Sequence, residues 1–328
     1  MKELTLLAVG LGAVSAGGAL AQETPLRVNV FPGSQNLPIF IGLDRGIFAK
    51  HGLKLELQNT PGSPEQRAGL AEGKFEIAHA AVDNAVAMVE TAGRDTIIVM
   101  GGDASMNEFM VRPEIAGIAD IKGKVVAVDA PNTAYALVAK KILKNNGLLE
   151  GRDYTVRPVG GTLARSQAMA TNPELVAGIV NLPFSIIIQE KGLKSLGRTR
   201  DLIGPYQATG GFVMRPWAQA NAEVLERYIA AYVESLRIAM DPANKGEAVA
   251  ALVKRLKLDP KVAEQTVEQL MIPGFGLAPE ARFDMQGFQT VLALRAEIEG
   301  QWGGKPPAPD KYLDLGYYDR AMKRLGAK

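Results

Sequence analysis

The chain has no cysteine among its 328 residues. That excludes disulfides, thiolate metal sites, a cysteine nucleophile and a lipid anchor that depends on an N-terminal cysteine. Histidine is nearly as scarce, with only His51 and His79. Two such isolated imidazoles give no basis for a metal site, which needs several converging ligands. Charge of one sign is also missing: the formal net charge is +2, too small to imply a nucleic-acid partner. No nucleophile elbow, phosphate-binding loop or dinucleotide fingerprint appears, so the sequence supplies no catalytic residues and calls for no cofactor. Long apolar runs are absent beyond the first residues, where Leu4–Val14 is too short to span a bilayer. Lys2, that apolar core and Ala19-Leu20-Ala21 read instead as a cleaved secretory signal over residues 1–21. A soluble, exported protein follows, and a cysteine-free chain suits the bacterial periplasm.

What is present is an alternation. Lys122–Tyr135 is its clearest instance: Val125, Val126 and Val128 form a β-branched run, Asp129–Asn132 break it, and Thr133 opens a helical stripe of Ala134, Leu137, Val138 and Ile142. Asn146-Gly147 ends that helix. Strand, polar loop and helix also follow one another at Leu26–Pro38, Leu53–Glu65, Phe75–Thr91 and Tyr154–Gln167, with a further strand at Val176–Val180. Such repetition argues for α/β architecture with mostly parallel sheets flanked by helices. From Trp217 onward the chain is helical, led by the stripe Val224, Leu225, Tyr228, Ile229, Tyr232, Val233 and Leu236. Tyr312, Leu315, Tyr317 and Tyr318 mark a tail that packs.

In open α/β sheets ligands sit beyond the carboxyl ends of the strands, where loops present free amides and helix N-termini. The loops there offer Ser34, Gln35 and Asn36; Thr60 and Ser63; Asp83 and Asn84; Asn132, Thr133 and Tyr135; Thr162 and Arg165; and Asn181 with Ser185. Any one of these polar residues serves equally as a helix cap, and Asp83 in particular reads as one. Helix starts at Thr133 and Asn84, with the planar fork of Arg165, favour an anionic head group. Asp83 favours an amine or a ring N–H. Tyr135, Phe31 and Phe184 are candidates for stacking on a planar ligand, although phenylalanines beside strands usually belong to the core.

Three stretches resemble a family. GLDRGIFAKHGLKLEL (Gly42–Leu57), IADIKGKVVAV (Ile118–Val128) and GLLEGRDYTV (Gly147–Val156) are similar, in order, to segments of periplasmic solute-binding proteins of the nitrate/sulfonate/taurine type, the SsuA/THI5-like and NMT1-like group. The likeness runs over roughly residues 25–215 and departs from the pattern at Ser166–Phe184. It implies the type II periplasmic binding fold, with two α/β lobes, two hinge crossings and a helical C-terminal part. Lobe 1 would comprise 22–108 plus 210–328, and lobe 2 would comprise 109–209. It further implies a monomer that closes on a small carboxylate, sulfonate or polar heterocycle and delivers it to an inner-membrane ABC permease. The crossings would bend near Asn107–Arg112 and Tyr206–Gly211, with Gly210-Gly211 most permissive. Two alternatives share the fold: a thiamine-precursor enzyme, which should carry a cysteine-rich motif and no export signal, and a periplasmic sensor subunit.

Overall fold

The computed structural model describes residues 23–326; the signal segment read at 1–21 lies outside them. Ten strands form two five-stranded sheets. The first holds β1 (Thr24–Val30), β2 (Leu53–Asn59), β3 (Ile77–Ala81), β4 (Thr96–Gly101) and β10 (Thr209–Met214), in the order β2-β1-β3-β10-β4. The second holds β5 (Asn107–Val111), β6 (Val125–Val128), β7 (Thr155–Pro158), β8 (Leu175–Asn181) and β9 (Lys194–Arg198), in the order β7-β6-β8-β5-β9.

The two sheets follow one plan. β1 pairs in parallel with β2 and β3, and β6 pairs in parallel with β7 and β8. Each sheet also contains one strand running the other way, β10 between β3 and β4 and β5 between β8 and β9. These are the two strands that begin just after the chain has crossed from the other sheet, at 102–106 and 199–208. A strand arriving from across a cleft enters its new sheet at the carboxyl end of the parallel strands, and so must run against them. Gly210 and Gly211 are part of β10 rather than a bend. A Cβ on Gly210 would lie 2.5 Å from the Met100 carbonyl oxygen and one on Gly211 would lie 2.8 Å from the Met100 side chain, so close strand packing requires both glycines.

Ten helices of eight residues or more complete the described fold: α1 (Leu37–Asp44), α2 (Ser63–Ala71), α3 (Asp83–Ala92), α4 (Ala134–Asn145), α5 (Thr162–Thr171), α6 (Ala222–Met240), α7 (Lys245–Leu256), α8 (Pro260–Leu270), α9 (Met285–Ile298) and α10 (Gly316–Arg324). The α6 stripe buries Leu225, Tyr228, Ile229, Tyr232, Val233 and Leu236 in one core with β1 and α1, where each large side chain contributes roughly 1.5–3 kcal/mol of apolar burial. His79 lies fully buried beside it, with its Nε2 2.8 Å from the Tyr228 hydroxyl and its ring 5.1 Å from that of Tyr232. Tyr312 and Tyr317 are buried, so the tail packs. No described helix is long and apolar enough to cross a membrane.

Candidate functional site: a cleft between the sheets

The carboxyl ends of β1, β2, β3, β6, β7 and β8 face one another, and the loops leaving them enclose a cavity of about 480 Å³, its open mouth included. Of the residues expected from the sequence, Gln35, Ser63, Asn84, Thr133, Tyr135, Thr162, Arg165 and Asn181 line it. The aromatic walls are Phe31 and Tyr135. Phe184 packs in the small core of the second sheet instead.

Six expected residues lie elsewhere, each for a local reason. Ser34 is fully buried, with its hydroxyl 4.0 Å from the Met106 sulfur. Asn36 spends its amide on the Phe31 carbonyl, at 2.7 Å. Thr60 donates to the Gly62 carbonyl at 3.2 Å and borders a neighbouring groove. Asp83 makes no cap bond; it receives the guanidinium of Arg295, and both side chains are about 1% exposed. Arg295 also donates to the Asn132 carbonyl at 3.3 Å, which ties Asn132 into the same buried pair. Ser185 is fully buried and is not among the cavity's lining residues.

Several lining residues carry no mark in the sequence that sets them apart. Asp129, Ala80, Ala81, Gly161 and Thr209 all contribute. Asp129 follows β6 directly, which is the one positional signal that could have singled it out. Thr209 reaches the cavity only through the second crossing, and its hydroxyl donates to the buried carboxylate of Asp103, which also accepts the Ser105 amide at 2.7 Å. Asp103 therefore bonds the first crossing to the first residue of β10, and burial raises its pKa above the usual carboxylate value.

Polar contacts span the cavity from loop to loop. The Gly161 amide donates to the Pro61 carbonyl at 2.9 Å. The Ser63 amide, at the start of α2, donates to Asp129 Oδ2 at 3.2 Å. Asn181 Nδ2 donates to Gln35 Oε1 at 3.5 Å. Gln35 is itself oriented, because its Nε2 donates to the Phe31 carbonyl at 3.1 Å. Gly161 has to be glycine, since a Cβ there would sit 2.9 Å from the Pro61 oxygen.

Arg165 dominates the electrostatics. It is about 1% exposed, and its Nε, Nη1 and Nη2 donate to the Ile179 carbonyl (2.8 Å), the Gly160 carbonyl (3.0 Å) and Thr162 Oγ1 (3.0 Å). All three acceptors are neutral. Burial lowers its pKa, with Asp129 and Tyr135 opposing the shift, but an arginine stays charged throughout the accessible pH range. Its guanidinium carbon lies 5.8 Å from the centre of the Tyr135 ring. Desolvation, followed by the Asp103 charge, pushes the Tyr135 hydroxyl pKa up, so that group remains a hydrogen-bond donor. Among the described residues no cluster of histidine and carboxylate ligands is placed to hold a metal ion.

Two mostly parallel sheets, joined by two crossings and facing each other across a cleft, make this the type II periplasmic binding-protein fold. Residues 19–253 match the NMT1-like family, and the chain belongs to it. A protein of known structure from Bordetella bronchiseptica RB50 superposes with a TM-score of 0.79 at 20% identity, covering 93% of this chain and 99% of that one. The periplasmic nitrate-binding protein NrtA from Synechocystis PCC 6803 gives 0.77 at 15% identity, with 94% and 90% covered. The alkanesulfonate-binding protein SsuA from Xanthomonas axonopodis pv. citri, bound to MOPS, gives 0.70 at 17% identity, with 90% and 98% covered. No curated protein matches the chain in sequence.

Proposed function

We propose that this protein is the extracytoplasmic solute-binding subunit of an ABC importer. It acts as a periplasmic monomer that holds a small organic molecule bearing a carboxylate, a sulfonate or polar heteroatoms. The observation that carries this reading is the convergence of six strand-end loops from two sheets on one polar cavity containing a buried, still-charged arginine. Arginine presents a planar set of donors that suits carboxylate-like groups. The nitrate-binding and alkanesulfonate-binding proteins of the same fold lend support, as does a Staphylococcus aureus structure described as the ligand-binding component of an ABC-type import system.

On this reading lobe 1 comprises residues 22–108 plus 210–328, and lobe 2 comprises residues 109–209. The lobes rotate about the two crossings, and a ligand touching both favours the closed arrangement by binding it more tightly. The bonds from Gly161 to Pro61 and from Ser63 to Asp129 form as the mouth shuts. A thermal-shift screen against small carboxylates, sulfonates, amines and pyrimidines should find a ligand, since one present at 100 times its Kd adds about 2.7 kcal/mol to the folded state. X-ray scattering should then show a smaller radius of gyration at saturation with the best hit. An unchanged radius would count against closure.

A further inference from the structure

We infer that α9 is a third joint between the two lobes. It stays packed on α4 while the mouth opens and shuts, so closure turns about the α4–α9 seam and not about the two crossings alone. This rests on the closure proposed above and says where it pivots.

By chain position α9 falls in lobe 1, yet it is bonded at three places along its length. At its start the Asp284 amide donates to Gln207 Oε1 in the second crossing, at 2.7 Å. A Cβ on Gly287 would collide with the Gln207 amide nitrogen, so the helix lies directly on that crossing. In its middle, Phe288, Val291 and Leu292 join one core with Val86 of α3 and with Leu137 and Ile142 of α4. At its end Arg295 holds Asp83 at the start of α3 and donates to the Asn132 carbonyl, in the loop before α4, at 3.3 Å. Two residues on, Glu297 receives Lys141 at 2.7 Å and Lys144 at 3.1 Å, both from α4. The helix thus continues the line of the hinge from the second crossing to the far end of α4.

The two edges of the cleft are therefore unequal. At the mouth the lobes meet through loop amides, Gly161 to Pro61 and Ser63 to Asp129. Water can replace such bonds at small net cost. Parting α9 from α4 would instead carry apolar side chains into water, and nothing there makes good the loss. A packed core of this kind resists gradual deformation, so motion concentrates where packing is polar and thin. The polar edge opens and the dry edge turns. Entry to the cavity is then from the Pro61–Gly161 side.

The test needs no ligand, because Gly161→Val wedges the mouth: a Cβ there already lies 2.9 Å from the Pro61 oxygen and 3.0 Å from the Phe31 ring. With no native cysteine, introduced thiols take spin labels cleanly. One labelled pair, Ala68→Cys on α2 and Thr171→Cys on α5, spans the mouth; the other, Asn145→Cys on α4 and Ala293→Cys on α9, spans the seam, and all four positions are exposed. In Gly161→Val the mouth pair should lengthen by more than about 2 Å, the scale of a domain rearrangement, while the seam pair keeps its distance. Gly161→Ala takes its place if the larger side chain prevents folding. A seam pair that lengthens as much as the mouth pair overturns the inference. Glu297→Lys sets like charge against Lys141 and Lys144 and checks the same point by X-ray scattering. The folded variant should keep the native radius of gyration, and a larger one shows a latch that parts, which also overturns it. If neither pair moves, this inference and closure fall together, whereas a hit in the thermal-shift screen still upholds solute binding.

Discussion

Arg165 and Arg295 are the two largest fully buried side chains in the described molecule, each about 1% exposed. Arg295 grips both carboxylate oxygens of Asp83. Burial alone would lower its pKa, but the Asp83 charge and hydrogen bonds more than offset that, and the net shift is upward. Arg165 has carbonyls and a hydroxyl instead, and its pKa is lowered. One arginine is neutralised within the fold and fastens α9 to the start of α3. The other is equally dry but keeps its charge beside a cavity. Burial therefore does not separate the two arginines; the charge of the partner does.

The sharpest way to break this comparison is to remove each guanidinium in turn. Arg295→Met leaves Asp83 buried and unpaired, and should cost about 3–5 kcal/mol of folding stability in urea titrations. If Arg165→Met costs as much, the two arginines do the same job and the contrast fails. A buried base that has given up its charge sharpens the picture. Burial lowers the His79 pKa to about 4 from 6.5. Between those values the unfolded chain binds a proton that the native state does not, so stability should fall as pH drops from about 6.5 toward 4. Near pH 4 the loss should reach about 3 kcal/mol. Urea midpoints at pH 7 and pH 4.5 should show this, and His79→Gln should flatten the dependence. The smallest effect concerns binding: Arg165→Met should weaken the best anionic hit by about 1.5–3 kcal/mol, the range for a hydrogen bond to a charged group. Calorimetry would record this as a loss of roughly tenfold or more.

The alternation of strands and helices is a local property, and it was legible. Val125, Val126 and Val128 read as a buried parallel strand and are one, and the loops at strand carboxyl ends delivered Thr133, Thr162, Arg165 and Asn181 to the cavity. What stayed hidden depends on pairing between distant residues. Asp83 resembles a cap in its own sequence neighbourhood, yet its partner is 212 residues away. Gly210-Gly211 resembles a pivot, but the residue that demands glycine there is Met100, on the neighbouring strand. Asp129 looks like a turn residue until α2 is seen to begin opposite it, with the Ser63 amide in reach. Thr209 becomes a lining residue only because β10 returns antiparallel into the first sheet. Periodicity reports which face of an element is dry, whereas the identity of its neighbour is settled by topology.

A short chain of amides runs from the Phe31 carbonyl through Gln35 to Asn181 and sets the polarity of one wall of the cavity. Whether Asn181 turns an oxygen or a nitrogen to the cavity is decided by a main-chain carbonyl 150 positions earlier in the polypeptide, relayed through one side-chain amide. A half-turn of the terminal carboxamide exchanges acceptor for donor with no change in volume, shape or net charge. The wall's hydrogen-bonding sense can therefore be inverted without recarving the chamber.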